Sequence, residues 1–331
     1  MPAGLPQSAG RNNGDRNGTF FNPALALAYH SGDDGRMTQR PDILCIGSVL
    51  WDVIGRSDRH MKQGADVPGH TTRLPGGVAL NIAMTLARFD LVPALLSVVG
   101  RDSEGDELIT ACDRLGLITD QLYRSEDLPT DQYMAVEAAN GLIAAIADAH
   151  SLEQAGDKII RPLIDGPLGF VEAPFPGPIA LDGNLTESLL DQIVHHPAFS
   201  KADLRIAPAS PGKAERLLPF IRSGHGVLYV NLEEAGLLCQ TEFTSAPQAG
   251  AALIERGAAR ALVTDGGNVT CDATKEGILA ERPPEVMVTR VTGAGDTFMA
   301  AHIASEPRGA DRPTALHRAL ATAAAYVAGG T

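Results

Sequence analysis

A chain of 331 residues is long enough for one large α/β domain or two modest ones. Its 44% hydrophobic and 20% charged residues are typical of a globular protein. Its net charge of -13 argues against a surface that binds nucleic acid, because phosphate backbones attract basic faces. Since no apolar run approaches the roughly 18 residues of a membrane span, we expect neither nucleic acid nor membrane as a partner.

The first segment of the chain has no regular pattern. Residues 1–40 are rich in Gly, Asn and Asp, which predicts a disordered or loosely docked leader. The short apolar stretch at residues 24–29 resembles a signal sequence only weakly, and Met37, just before the first strand, is an alternative natural start. The cysteines are far apart, which predicts reduced thiols and a cytoplasmic protein; they are Cys45, Cys112, Cys239 and Cys271.

From residue 43 onward, apolar runs alternate with helical patterns. Continuous apolar runs are typical of buried parallel strands, and they occur at residues 43–47, 94–99, 178–181, 204–206, 227–230 and 261–264. Helical spacing predicts helices over residues 78–89, 104–115, 187–194 and 246–256 and from residue 296 onward. Alternating strands and helices predict a doubly wound α/β sheet with right-handed crossovers.

Two stretches interrupt this rhythm. Residues 51–75 have no helical period, and residues 131–148 alternate like strands around the turn signal Asn140-Gly141. We expect both to form a small sheet that stands off the main domain as a lid. The predicted organisation is therefore a leader over residues 1–40 and one domain over residues 41–331, with lid strands within 51–75 and 131–148.

The strongest chemical signal is the sequence VTGAGD at residues 291–296, directly before a helical stretch. Small residues allow backbone N–H groups to line up at a helix N-terminus, where the dipole favours an anion such as a transferring phosphoryl group. Asp296 beside them can accept the proton of an attacking hydroxyl. A glycine-rich turn with Asp296 as an ordinary helix cap fits the spacing equally well.

Three weaker signals accompany it. The sequence PGGVALN at residues 75–81 permits close approach of a ligand to the backbone, and its asparagine can bind a sugar diol. The sequence NLEE at residues 231–234 follows a strand, where a carboxylate can hold Mg²⁺ through water or simply complement the helix dipole. The sequence TDGG at residues 264–267 suits a nucleotide phosphate or a plain turn.

Other motifs do not support a different chemistry. Gly212-Lys213 is not a P-loop, because the upstream glycine and the following Ser or Thr are missing. His195-His196 has no metal-ligand partner at a useful spacing. No G-x-S-x-G sequence is present, so a serine hydrolase is unsupported.

Together and in this order, the motifs resemble the PfkB, or ribokinase-like, family of carbohydrate kinases from about residue 42 to the C-terminus. Residues 76–81 are similar to the family's first signature, the segment ending at Asp296 to its second, and Asn231 with Glu234 to its N-x-x-E motif. The resemblance implies a Rossmann-like three-layer α/β/α domain with a small β-sheet lid. It also implies ATP-dependent phosphorylation of a sugar or nucleoside hydroxyl.

The resemblance implies roles for particular residues. Asp296 would be the catalytic base, and the anion hole beside it would consist of Gly293, Ala294 and Gly295. The substrate would be held by Asp52, Gly76, Gly77 and Asn81. The nucleotide would be contacted by Asn231, Thr264, Gly266 and Gly267. The Mg²⁺ ion would be organised by Glu234.

Within the family, several segments are similar to pseudouridine kinases, namely residues 68–79, 130–148, 182–185, 208–213 and 290–293. This predicts pseudouridine as the phosphate acceptor. Ribose, adenosine and 2-keto-3-deoxygluconate stay open as alternatives. A non-catalytic binding protein is the alternative of a different class, although such a protein would be expected to lack Asp296 or Glu234.

The expected cofactors are ATP and Mg²⁺, and the resemblance to ribokinases raises the question of a monovalent cation as a third. Arg290 stands where ribokinases have a residue that helps hold a monovalent cation, so its fixed positive charge argues against activation by K⁺. The expected partners are a small-molecule substrate and a second copy of the chain, bound through the lid.

Overall fold

The computed structural model of the chain describes residues 40–330. The leader predicted for residues 1–40, including the stretch 24–29 and Met37, therefore lies outside the described residues except for Arg40. The helices of residues 40–330 are α1 (Val78–Arg88), α2 (Ser103–Arg114), α3 (His150–Ala155), α4 (Arg161–Ile164), α5 (Glu187–His195), α6 (Leu218–Ser223), α7 (Leu232–Cys239), α8 (Ala246–Glu255), α9 (Ala294–Ser305) and α10 (Arg312–Val327), with short 3₁₀ helices at Gly156–Ile159, Pro197–Phe199 and Pro211–Leu217.

The strands form one large sheet and one small sheet, with two short pairs beside them. In chain order they are β1 (Ile43–Ile46), β2 (Leu50–Arg56), β3 (His70–Gly76), β4 (Pro93–Leu96), β5 (Val98–Gly100), β6 (Tyr123–Ser125), β7 (Gln132–Ala138), β8 (Gly141–Asp148), β9 (Asp165–Gly166), β10 (Gly169–Phe170), β11 (Pro178–Asp182), β12 (Asp203–Ala207), β13 (Val227–Asn231), β14 (Arg260–Thr264), β15 (Thr270–Thr274) and β16 (Gly277–Glu281).

The large sheet has the strand order β16-β15-β14-β13-β12-β11-β1-β4. The strands from β4 to β14 in that order pair in parallel, and β15 and β16 extend the sheet antiparallel. Side chains of a strand alternate between the two faces of the sheet, so Leu44 and Ile46 enter one core while Ile43 and Cys45 enter the other. Each apolar run is thus buried on both faces, as the sequence predicted.

Helices cover both faces of this sheet. The core on one face includes side chains of α1, α2, α9 and α10, and the core on the other includes side chains from α3 to α8. The predicted three-layer α/β/α architecture is confirmed. Every residue of α9 from Thr297 to Ser305 is buried, so this helix is packed on all sides inside its layer.

The small sheet has the order β3-β2-β7-β8, and it lies in the two stretches that interrupt the α/β rhythm. The β7–β8 hairpin turns at Ala139 and Asn140, and Gly141 follows with φ 94°. One predicted strand differs from the structure. The run at residues 94–99 divides at Ser97, because β4 joins the large sheet whereas β5 pairs with β6.

All four cysteines are buried free thiols, in agreement with the prediction that they are reduced. Among the helices of residues 40–330, none combines the length and the apolar character that crossing a bilayer requires.

Candidate active site

Two adjoining cavities open where the parallel strands end. The larger one, which we call the cleft, has a volume of about 570 Å³, and residues directly following β1, β11 and β12 contribute to its wall. The smaller one, which we call the apolar cavity, has a volume of about 500 Å³ and is bordered by α9, α10 and residues 283–291. Thr264, Gly295 and Phe298 line both. Open α/β sheets bind ligands at the carboxyl ends of their strands, so these cavities form the candidate site.

Residues 293–295, which we call the 293–295 turn, begin helix α9 at the junction of the two cavities. Gly293 is the N-cap and has a left-handed φ of 86°, which favours glycine. The first N–H groups of a helix have no intrahelical partner, and the helix dipole makes this end positive. The N–H of Ala294 donates to the carbonyl of Val291 at 3.1 Å, so the N–H groups of Gly293 and Gly295 are the ones in this turn that can bind an anion such as a phosphoryl group.

Asp296 follows in the first turn of α9 and lines the cleft. Its Oδ2 accepts a hydrogen bond of 3.0 Å from Nδ2 of Asn81. The pKa of Asp296 is raised to about 7, chiefly by burial; the hydrogen bond from Asn81 opposes the rise, and the carboxylates of Asp182, Asp52 and Glu234 add smaller contributions to it. A carboxylate with a pKa near neutrality is suited to accept a proton at physiological pH.

Gly76 and Gly77, which we call the 76–77 turn, connect β3 to α1. Gly77 has φ 100°, and a Cβ there would collide with the carbonyl oxygen of Ser48. A Cβ on Gly76 would collide with the carboxylate of Asp52, whose pKa burial raises to about 6. Only glycine permits this approach of two backbone segments and a carboxylate.

A buried polar network holds the 76–77 turn in place. Asp182, at the end of β11, accepts hydrogen bonds from the Oγ of Ser48 at 2.5 Å and from its backbone N–H at 2.8 Å. Ser48 Oγ in turn accepts from the N–H of Val78 at 2.9 Å. The backbone N–H of Asn184 donates to the other carboxylate oxygen of Asp182 at 2.7 Å. These residues were not among the predicted site residues, although the polar run DGN at residues 182–184 directly after a strand is the signal that points to them.

Lys213 also lines the cleft, although it was not among the predicted site residues. Its Nζ donates to Oδ1 of Asn184 at 2.5 Å. Burial lowers the pKa of Lys213, and the neighbouring Arg216 lowers it further. Lys213 is not part of a P-loop, as the sequence indicated, yet the 3₁₀ helix Pro211–Leu217 presents it to the same cleft as Asp296.

Asn231 and Glu234 form a capping box at the start of α7. Glu234 Oε2 accepts from the N–H of Asn231 at 2.8 Å, and Asn231 Oδ1 accepts from the N–H of Glu234 at 2.8 Å. Burial raises the pKa of Glu234 to about 7. Within residues 40–330, no three acidic, His or Cys side chains cluster to bind a metal ion by protein groups alone. A lone carboxylate such as that of Glu234 fits Mg²⁺ only as a group that would contact the ion through water.

The apolar cavity offers a surface of a different kind. Its walls are largely aliphatic, from Pro283, Pro284, Val286, Val288, Val291, Leu320, Ala323, Ala324 and Val327. Thr264, Gly266 and Gly267 border it on the side of β14. Such a slot accommodates a flat apolar ring, while its junction with the cleft lies at Gly295 beside the N-terminus of α9.

The predicted site residues come together almost completely. The cleft is lined by Asp52, Gly77, Asn81, Asn231, Glu234, Thr264, Gly293, Gly295 and Asp296. The apolar cavity is lined by Thr264, Gly266, Gly267, Ala294 and Gly295. Gly76 lines neither cavity, because it is buried behind the carboxylate of Asp52.

Comparison with known proteins is consistent with this geometry. Residues 40–330 match the model of the "pfkB family carbohydrate kinase". The chain is 26% identical to a pseudouridine kinase of Escherichia coli (strain K12), over 80% of this chain and 83% of that protein. It is 25% identical to a ribokinase of Mus musculus, over 82% of this chain and 84% of that protein.

Solved structures show the same fold. The structure of Arabidopsis thaliana ribokinase complexed with ribose and ATP superposes with a TM-score of 0.71 at 21% identity, and the match covers 87% of this chain and 93% of that one. The parallel sheet with helices on both faces is thus the ribokinase-like fold.

Proposed function

This chain belongs to the pfkB family of carbohydrate kinases and is a sugar or nucleoside kinase, and from this premise we propose that it transfers the γ-phosphate of ATP to the 5′-hydroxyl of pseudouridine, with Asp296 as the base. One observation carries the proposal. A carboxylate with a pKa raised to about 7 stands at the N-terminus of α9, where the cleft and the apolar cavity meet. A base and an anion site side by side are what phosphoryl transfer to a hydroxyl requires.

In this mechanism ATP enters with its base in the apolar cavity. Thr264, Gly266 and Gly267 border that cavity, and its junction with the cleft at Gly295 lets the phosphates reach the N-terminus of α9. Backbone N–H groups of the 293–295 turn then stabilise the negative charge of the transferred phosphoryl group. Asn231 at the end of β13 borders the path of the phosphates.

Asp296 aims the substrate hydroxyl at the γ-phosphorus and accepts its proton as the new bond forms. The raised pKa makes the carboxylate a better proton acceptor than a solvent-exposed aspartate, while it is still substantially ionised near pH 7. The hydrogen bond from Asn81 fixes one carboxylate oxygen and leaves the other for the substrate. Asp52, Gly77 and Asn81 line the same cleft and hold the sugar hydroxyls.

Mg²⁺ bound with ATP supplies positive charge that offsets the charge on the phosphates. Glu234 is positioned to orient water in that ion's hydration shell, because only Oε2 is engaged by the capping box. Lys213, with its Nζ held by Asn184, adds a positive charge to a cleft that also contains Asp52, Glu234 and Asp296.

The similarity to a pseudouridine kinase over most of both chains supports pseudouridine as the acceptor. Tyr133 of the small sheet adds an aromatic ring to the cleft beside Asp52, where it can pack against a nucleobase. The similarity to a ribokinase at nearly the same identity favours ribose as the second candidate.

The test is a comparison of kcat/KM for pseudouridine, uridine, adenosine, ribose and 2-keto-3-deoxygluconate with ATP and the purified chain. We expect pseudouridine to be phosphorylated fastest and ribose much more slowly. A clear preference for ribose or adenosine would replace the acceptor and keep the kinase mechanism. If no acceptor were phosphorylated, a non-catalytic binding protein would be the better account.

The small sheet also supports a proposal about assembly. Met134 and Ile146 pair across β7 and β8 and are 44% and 67% exposed. They point to the face opposite Tyr133, which faces the cleft, because neighbouring residues of a strand alternate in direction. We propose that this face binds a second copy of the chain in the cytoplasm. Light scattering should give a dimer mass for the wild type and a monomer mass for Met134→Asp/Ile146→Asp, whereas an unchanged mass would exclude this face.

A further inference from the structure

Arg290 lies in the segment that leads into the 293–295 turn, and it is tied to the C-terminal end of α10. Its Nε donates to the carbonyl of Tyr326 at 2.9 Å, and a terminal nitrogen donates to the carbonyl of Gly330. The guanidinium carbon lies 3.7 Å from the centre of the Tyr326 ring. The N–H and the hydroxyl of Thr289 both donate to the carbonyl of Val327, at 2.9 and 3.0 Å.

The electrostatics of this contact favour a cation. The last carbonyl groups of a helix have no intrahelical partner and carry the negative end of the helix dipole. An aromatic face attracts a cation in addition. Within residues 40–330, the observed contacts of the Arg290 guanidinium are with carbonyl oxygens and an aromatic ring, and no ion pair joins it to a carboxylate. The guanidinium occupies positions on the carbonyl oxygens of Tyr326, which also accepts the N–H of Gly329 at 3.0 Å, and of Gly330, which follows the helix.

The same tyrosine transmits this contact to the anion site. Tyr326 Oη donates to the carbonyl of Thr292 at 2.9 Å. It also packs against Gly293, where an added Cβ would fall 2.6 Å from the hydroxyl oxygen. The contacts form a continuous path from Arg290 through Tyr326 to the N-cap of α9. A shift of Arg290 would thus move the N–H groups that begin the helix.

We propose that Arg290 is a built-in cation that positions the 293–295 turn, and that this kinase therefore works without an added monovalent cation. The resemblance to ribokinases implied an ion near this residue, but the guanidinium takes the carbonyl groups of Tyr326 and Gly330, so the residues present do not fit such an ion. Arg290 acts as a positioning residue, since it acts on the anion site through Tyr326 and Thr292. This inference rests on the proposed kinase function.

The first test measures the wild-type chain in buffers whose only monovalent cation is K⁺, Na⁺ or a bulky quaternary ammonium ion. We expect kcat to stay within about 2-fold across the three, because K⁺ finds no vacant set of carbonyl ligands. A rise of about 10-fold or more in K⁺ alone would overturn the proposal.

The second test removes the cation. Arg290→Ala should lower kcat and weaken ATP binding, each by about 10-fold or more, because a small misplacement of catalytic groups is costly. Added guanidinium or K⁺ should restore part of both. Arg101→Ala is the matched control, since that arginine is 54% exposed in a surface ion pair with Glu126, and neither its activity nor its ATP affinity should change.

Calorimetric titration with ATP separates this proposal from the function on which it rests. If Arg290→Ala weakens ATP binding and guanidinium restores it while no acceptor is phosphorylated, the positioning role stands and the kinase function fails. If the variant loses thermal stability but neither cation restores ATP binding, or if its activity and affinity equal those of the wild type, the positioning role is wrong.

Discussion

The 76–77 turn, through Gly77, and the 293–295 turn, through Gly293 and Gly295, each contribute glycine to the wall of the cleft. The two turns are held by different parts of the molecule. The 76–77 turn packs against Ser48, whose hydroxyl is bonded to Asp182 inside the core. The 293–295 turn has open space on the side of Gly295, where an added Cβ would meet nothing within 4 Å, and it is held from behind by Tyr326. One turn is shaped by the protein, and the other leaves room for a ligand.

This difference shows how the same residue type can serve two purposes. At Gly77 glycine is needed because the folded chain itself occupies the space of a side chain. At Gly295 glycine leaves room that the proposed phosphoryl group would fill. Substitutions at the two turns should therefore fail in different assays, one in stability and the other in catalysis.

The largest expected effect is on folding. Gly77→Ala should lower the free energy of unfolding by about 3 kcal/mol or more, because it combines a strained φ with a collision against the Ser48 carbonyl. Denaturant unfolding measures this loss. Gly64→Ala is the matched control, since Gly64 also has a positive φ of 77° but no atom lies within 4 Å of an added Cβ. Equal stability of the two variants would show that the collision is absent.

The next effect is on catalysis alone. Gly295→Val should fold with a thermal midpoint close to that of the wild type, because an added Cβ meets nothing within 4 Å. It should lose about 10²-fold in kcat, because the valine side chain fills the space of the phosphoryl group and holds it away from the backbone N–H groups, an effect on the scale of one lost preorganised donor. Steady-state kinetics and thermal unfolding on the same preparation give both values. A variant that is unstable, or one that is stable and fully active, would remove the contrast between the two turns.

A smaller effect is expected on the pH dependence of kcat. The helices that follow the two turns are in contact, because Asn81 on α1 donates a hydrogen bond to Asp296 on α9. The hydrogen bond from Asn81 lowers the pKa of Asp296, so Asn81→Ala should raise it. The base must be ionised to act, and the acidic limb of the kcat profile should therefore move to higher pH. The variant should lose more activity at pH 6 than at pH 9. Comparing the same variant at the two pH values serves as the control, because a loss that does not depend on pH lowers both activities equally. A uniform loss at both values would show that Asn81 contributes only binding.

Much of the fold follows from short-range patterns in the sequence. Runs such as residues 43–47 and 227–230 are buried on both faces of a parallel sheet, so their composition alone identifies them. The break at Ser97 could not be predicted from the apolar run that contains it. The division between β4 and β5 depends on which strands pair, and pairing is a long-range property.

The site was predictable where glycine or a carboxylate follows a strand or precedes a helix. Asp296 and Asn81 are 215 positions apart, and each stands in a recognisable motif. The support of the site was harder to predict, because Ser48 meets Asp182 across 134 positions and only Asp182 belongs to a local pattern, the run DGN directly after a strand. Lys213 could not be predicted as a site residue from its sequence context, because that context is not a P-loop. Its place in the cleft depends instead on the 3₁₀ helix Pro211–Leu217 and on the hydrogen bond of Lys213 to Asn184.

Asp296→Asn provides the most direct test of the kinase mechanism. The effect of this substitution on folding stability can be predicted beforehand, so a loss of activity can be distinguished from unfolding. Burial raises the pKa of Asp296 in the folded state above its unfolded value, so the folded state binds the proton more tightly. The ionised carboxylate therefore costs stability increasingly as the pH rises from about 4 to above 7. Asp296→Asn removes this cost, and the variant should be at least as stable as the wild type at pH 8.

The decisive measurement is kcat of Asp296→Asn at pH 8, with binding of ATP and of the acceptor measured by calorimetry on the same protein. Asparagine keeps the shape of the side chain but cannot take the proton of the hydroxyl. The account predicts that kcat falls by about 10²-fold or more, the range for loss of a general base, while both ligands still bind. If both ligands bind normally and kcat hardly changes, Asp296 only complements the dipole of α9 from its first turn, and the proposed mechanism is wrong.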